Sequence, residues 1–134
     1  MNNEEYYSIL RGEKTTFTIP LEPRTKKNSQ KIIIVKGRPM IFPSKQYKEF
    51  ESEALWFIPK SGIDYSVNVK AIFYMRTKRQ VDLTNLLEAL DDVLVKGGML
   101  EDDNHKIIAS HDGSRVRFDK ENPRIEIEIE RSKE

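Results

Sequence analysis

Leu83, Leu86, Leu87, Leu90, Val93 and Leu94 recur at spacings of three and four, and no other stretch of this chain limits the fold so tightly. That spacing lays one apolar stripe along an α-helix, so much of the core must be built against it. At about 100° per residue, Thr84, Asn85, Glu88, Asp91 and Asp92 project from the opposite side. Asp82 stands where an N-cap belongs, and Gly97-Gly98 follows as a helix stop.

The same stretch is acidic. Between Val81 and Asp103 seven carboxylates (Asp82, Glu88, Asp91, Asp92, Glu101, Asp102, Asp103) face one cation, Lys96. Crowded acids raise one another's pKa unless a cation sits among them. Glu88 and Asp92 are like charges at i and i+4, which costs a few tenths of a kcal/mol, on the order of 0.3, on a bare helix. One acid cluster opens the helix and one follows its end, so they can meet only if the chain folds back. Met99 and Leu100 lead from the glycines into Glu101-Asp102-Asp103 and a β-type run.

An aspartate, a Leu-X-Asn, an apolar helix with an aspartate seven residues after the Asn, a small-residue turn and then Asp-Asp together resemble the RusA-type Holliday-junction resolvases. The resemblance is close from Thr77 to Ile108 and looser upstream, where Pro20 to Asn28 is similar to the family's Pro and Asn segment. It implies cleavage of four-way DNA junctions by a homodimer using a carboxylate-held divalent metal. The motif falls on Asp82, Asn85, Asp92 and the pair Asp102-Asp103. Two positions depart. The family's second aspartate is Thr84 here, and its lysine three residues after the Asn is Glu88. The two changes nearly cancel in charge: either Glu88 serves as a replacement ligand one helical turn on, or the enzyme is weakened or dead. An active enzyme is the reading adopted.

Length points to one domain over residues 1–134, large enough to bury a core without staples. No run approaches the roughly 20 apolar residues of a membrane helix, and the polar, acidic start does not read as a secretory signal. Zero cysteines exclude disulfides and zinc-thiolate sites and fit a reducing cytoplasm, bacterial or prophage-encoded by the resemblance. Net charge is only +1, yet it is segregated: eight basic residues and no acid lie between Pro23 and Lys48. An acidic pocket beside a basic arm is the arrangement for bringing metal ions to a polyanion.

In chain order, residues 1–14 read as a short helical turn or a mobile arm. Thr15 to Ile19 alternates as a strand, Leu21 to Gln30 is a loop, and Lys31 to Val35 with Pro39 to Phe42 forms a hairpin. Ser44 caps a helix that buries Tyr47, Phe50, Ala54, Leu55 and Ile58. Trp56 is read as core with Tyr47. Tyr65 to Met75 is a long strand. After the acidic stretch, Ile107 to His111 and Arg115 to Phe118 are expected as a hairpin turned by Asp112-Gly113, and Ile125 to Ile129 as the last strand. The pattern is α/β (α+β): one mixed β-sheet with two main helices.

Ordinary roles compete for the site residues. Asp82 has a capping role open to it, Asp102 and Asp103 a turn role, and Glu88, Asp91 and Asp92 a solvated-face role. Thr84 is expected in a local bond at the helix start. His105 and His111 read as surface histidines, with His105 near enough to the acids to assist proton transfer. The acid-only donor set favours Mg²⁺, with Mn²⁺ as substitute. The expected catalytic residues are Asp82, Asp103 and Asp102, joined as metal ligands by Glu88 and Asp92. Lys26, Lys27, Asn28, Lys78, Arg79 and Lys106 are expected to contact DNA through phosphates and not base edges. Partners are branched DNA and a second copy of the chain, with no membrane and no small-molecule cofactor. The apolar side of the acidic helix is either core or dimer seam. Rival readings are a branched-DNA binder that does not cut, a nuclease of the same chemistry acting on flaps or forks, and an acidic protein-interaction domain.

Overall fold

A computed structural model describes residues 3, 14–26 and 30–132. Apart from Asn3 and Lys14, the N-terminal stretch expected as an arm lies outside these residues, as do Lys27 and Asn28.

The long central strand β4 (Val67–Met75) and the last strand β7 (Arg124–Arg131) both alternate buried and half-buried residues. They pair antiparallel with Val69 opposite Ile129, Ala71 opposite Ile127 and Phe73 opposite Ile125. Their apolar side chains therefore fall on one face of the sheet. Strand β1 (Thr15–Ile19) extends the sheet along β7, placing Ile19 beside Ile125. Against the apolar face pack α1 (Lys45–Ala54), through Tyr47, Phe50 and Ala54, and α2 (Leu83–Lys96), through Leu86, Ala89, Leu90, Val93 and Leu94. The stripe of α2 is thus core. Its apolar side is buried within this one chain, which removes it as a dimer seam.

Two short strands complete the sheet, and they correct the expected hairpin. Strands β5 (Ile108–Ser110) and β6 (Arg115–Phe118) both run parallel to β4, β5 at Val67 and Asn68, β6 from Ile72 to Met75. Because β7 fills one edge of β4, they lie in line along the other. Asp112-Gly113 interrupts one edge strand and does not reverse the chain. Side chains close the gap: Asn68 Oδ1 accepts from Ser110 Oγ and from the Asp112 amide, and Ser114 Oγ accepts from the Ala71 amide.

Strands β2 (Gln30–Val35) and β3 (Arg38–Pro43) form a separate two-stranded ribbon. Its turn holds Lys36 and Gly37 at φ 51° and 77°, the left-handed pair of a tight hairpin. Ile33 and Phe42 face the α1 side, while Ile32, Ile34 and Ile41 stand 63–74% exposed.

Helix ends follow the sequence signals. The Ser44 hydroxyl accepts from the Tyr47 amide at 3.2 Å, capping α1. The helix tightens into a 3₁₀ turn over Leu55–Phe57, and Trp56 is 87% exposed where core was expected. Buried Tyr47, Phe50, Ala54 and Ile58 set the stripe, and Trp56 sits midway between its last two members, on the opposite side. At the end of α2, a Cβ on Gly97 would lie 2.6 Å from Ile58 Cγ2, so the helix can stop against the core only with glycine there.

Candidate active site

Helix α2 presents its acids from Asp82 to Asp92 along the side turned from the core. Asp82 occupies the N-cap position with extended backbone, yet its side chain makes no capping bond. Instead Oδ2 accepts from Asn85 Nδ2 at 3.3 Å, leaving the carboxylate exposed. The capping explanation of this residue is not met. Thr84, expected in a local bond, is exposed, and its hydroxyl makes no hydrogen bond among the described residues.

The chain does fold back after α2. Gly62 and Ile63 donate to the carbonyls of Gly98 and Met99, and Glu101 donates to that of Ile63, which ties down the segment ahead of Asp102-Asp103. Asp102 is consumed by the following turn: Oδ1 accepts from the Asp103 amide at 2.7 Å and Oδ2 from Asn104 Nδ2 at 3.1 Å. The Asp103 carboxylate is exposed and engages no donor or cation among the described residues.

Burial raises the Asp91 pKa, His111 opposes that rise, and the charges of Asp103 and Asp92 add to it. His111 Nε2 lies 2.9 and 3.0 Å from the two Asp91 oxygens. This pair escapes sequence reading, since it joins the middle of a helix to a strand end 20 residues away. His111, read as a surface histidine, is a half-buried partner of the acid helix. Asp103 thus lies within charge-coupling range of Asp91, and Asp82 lies nine residues before Asp91, about 13 Å along the axis.

Asp92 has its own partner, an ion pair with Lys26 from the loop after β1. The Lys26 ammonium also stands 5.9 Å from the centre of the Tyr47 ring. Burial, with the charges of Glu51, Asp92 and Glu88, pushes the Tyr47 hydroxyl well above the usual phenol range. Glu88 is exposed one turn before Asp92, and Lys96 bridges to Glu51 on α1 at 2.9 Å.

The cations gather around the start of α2. Arg24 and Arg76 share Glu22 at 3.2 and 3.4 Å. Lys78 lies over the Phe118 ring at 5.2 Å, and Arg79 and Lys106 are exposed without ion pairs among the described residues. A cleft of about 400 Å³ opens between Arg24, Thr25, Gln46, Arg79, Val81 and Leu86.

No group of three or more His, Asp or Glu among the described residues is arranged to hold a metal ion. What the chain offers is uncommitted carboxylate at Asp82 and Asp103, and hard oxygen donors fit Mg²⁺ or Mn²⁺. Mg²⁺ in particular is commonly held by one or two carboxylates, with water and substrate phosphates completing its shell. The donor set fits that mode.

A family model described as endodeoxyribonuclease RusA matches residues 20–130. The chain is also similar to the crossover junction endodeoxyribonuclease RusA of Aquifex aeolicus (strain VF5), 28% identical over 91 residues, which span 65% of this chain and 71% of that protein. The matched span contains every element from β2 to β6.

Proposed function

Since the chain belongs to the RusA endodeoxyribonuclease family, we propose that it is a divalent-metal-dependent endonuclease that resolves four-way DNA junctions by paired phosphodiester hydrolysis. The observation that carries this reading is the uncommitted state of Asp82 and Asp103. Both are exposed carboxylates without a cation among the described residues, Asp82 at the start of the acid-rich helix and Asp103 in the turn after it, with free lysine and arginine nearby. Asp92, half-buried on the same helix, is by contrast matched by Lys26.

Asp82 and Asp103 are proposed as ligands at separate points of the acid face, with Glu88 and Asp92 on the same helix and Asp102 fixing the turn that presents Asp103. Mg²⁺ or Mn²⁺, when bound, supplies Lewis acidity toward the phosphoryl oxygen and lowers the pKa of the attacking water. The chain's own part is to hold the phosphate and neutralise charge. Asn85 orients Asp82 through its 3.3 Å bond. Lys78, Arg79 and Lys106 present cations to the phosphate backbone, and charge developing on the phosphate is met by whichever of them lies nearest. Lys26 does two things: it screens Asp92 and leaves its ammonium half-exposed on the acid face. Lys27 and Asn28 extend that loop in sequence and are proposed to share its DNA contact.

Paired cuts require two sites, hence a homodimer. With the α2 stripe consumed by the core, the exposed face of the β2–β3 ribbon is the proposed seam. Among the described residues no helix is long and apolar enough to cross a membrane.

Incubating the protein with a four-way junction, a flap and a matched duplex, each with Mg²⁺, tests the reading. Symmetric nicks in the junction are expected. Preferential flap cutting would assign the same chemistry to another substrate. Tight junction binding without nicks under Mg²⁺ or Mn²⁺ would replace the enzyme with a binding protein, the outcome that the hydroxyl at Thr84 favours.

A further inference from the structure

Strand β6 is a free edge of the sheet, and all four of its residues are exposed. Its register on β4 sorts them into two sets. Arg115 and Arg117 share a face with Ile72 and Tyr74, while Val116 and Phe118 share the helix-side face with Phe73 and Met75. The Asp119 amide donates to the Met75 carbonyl, so the edge ends where the Arg76 to Arg79 run begins. There Lys78 comes back over the Phe118 ring.

Charge at this end is unbalanced. Lys78, Arg79, Arg115 and Arg117 have no ion pair among the described residues, and Arg115 Nε reaches only the Gly113 carbonyl at 3.4 Å. Three acids at this end are already matched, Glu22 with Arg24 and Arg76, and Asp119 and Glu126 with Arg124. Four free cations at one end of the sheet, two of them at i and i+2 on one side of an edge strand, raise a positive potential there that suits a polyanion. The Phe118 ring restrains the Lys78 ammonium without neutralising it.

We propose that the β6 edge extends the nucleic-acid contact beyond the acid face, where Arg115 and Arg117, next to Lys78, grip the phosphodiester backbone of a DNA arm. Phe118 positions Lys78 through its ring. That the occupant is DNA rests on the nuclease reading; that it is a polyanion rests on the unmatched cations. Arg115 and Arg117, about 6.7 Å apart along the strand, point the same way and can take phosphates of one backbone.

Binding to a fluorescent four-way junction, a duplex and a single strand of the same sequence, in EDTA over a salt series, separates this claim from cleavage. Each phosphate contact contributes about 0.9 to the slope of log K against log salt on duplex DNA. Arg115→Ala/Arg117→Ala is expected to flatten that slope by about 1.8 and weaken binding several-fold, whereas Arg115→Lys/Arg117→Lys keeps the parent slope. Phe118→Leu flattens it by less than about 0.9. Lys60→Ala, at the far end of α2, leaves it unchanged. An unchanged slope in the double alanine variant, or an equal loss from Lys60→Ala, overturns the proposal. A larger effect on the single strand than on the duplex assigns the edge to unpaired DNA. A parent protein that binds none of the three DNAs refutes the nuclease reading, and the DNA occupant with it.

Discussion

Asp91 spends part of its folding energy on being charged. Burial outweighs the help from His111, so its folded pKa lies above the ordinary 3.8. A folded state that holds a proton more tightly than the unfolded chain loses stability as pH rises through the interval between the two values. The stability of the parent relative to Asp91→Asn is therefore expected to decline from about pH 4 upward, as read by urea unfolding at several pH values. A difference that grows with pH would place Asp91 in a net favourable pair. Gly97 carries a steric constraint of another kind. Gly97→Ala drives a Cβ to 2.6 Å from the buried Ile58 side chain. Overpacking of this sort costs about 1–3 kcal/mol, visible as a lower urea midpoint with the slope unchanged.

The elements differ in how their ends are held, and that yields a contrast between two caps. Ser44→Ala removes a formed capping bond and is expected to cost about 1 kcal/mol. Asp82→Asn removes no cap and is expected to shift stability by less than about 0.5 kcal/mol. Equal losses would mean that Asp82 supports the helix after all. The helices and long strands were legible in the sequence because their periodicity states which side is buried, as the α2 stripe and the alternation of β4 and β7 do. The tandem β5 and β6 were not. Asp-Gly favours a left-handed turn whether the chain reverses or merely jogs, and β7's claim on the other edge of β4 is a tertiary fact. The Asp91–His111 pair was hidden for the same reason. Of the acids, Asp102 and Asp103 stood out by sequence alike, and only the turn around Asn104 separates a committed carboxylate from a free one.

At the scale of the described molecule, the unpaired cations Lys78, Arg79, Arg115 and Arg117 lie before α2 and along β6, while the acids Glu88, Asp91, Asp92, Asp102 and Asp103 lie along α2 and the turn after it. The exposed β2–β3 ribbon is the other large-scale feature. Two strands alone are marginal in water, and Ile32, Ile34 and Ile41 form an outward apolar face. Ile32→Lys/Ile34→Lys is expected to convert a dimer to a monomer in sedimentation equilibrium; a parent protein already monomeric at high concentration would remove this ribbon as the seam. The central claim concerns Asp82 and Asp103. Junction cleavage with Mg²⁺ by the parent, Asp82→Asn and Asp103→Asn, with junction affinity measured alongside, addresses it directly. Nicking lost in both variants while affinity stays at or above the parent value is the expected result. Undiminished nicking in either variant would contradict the assignment of these two carboxylates.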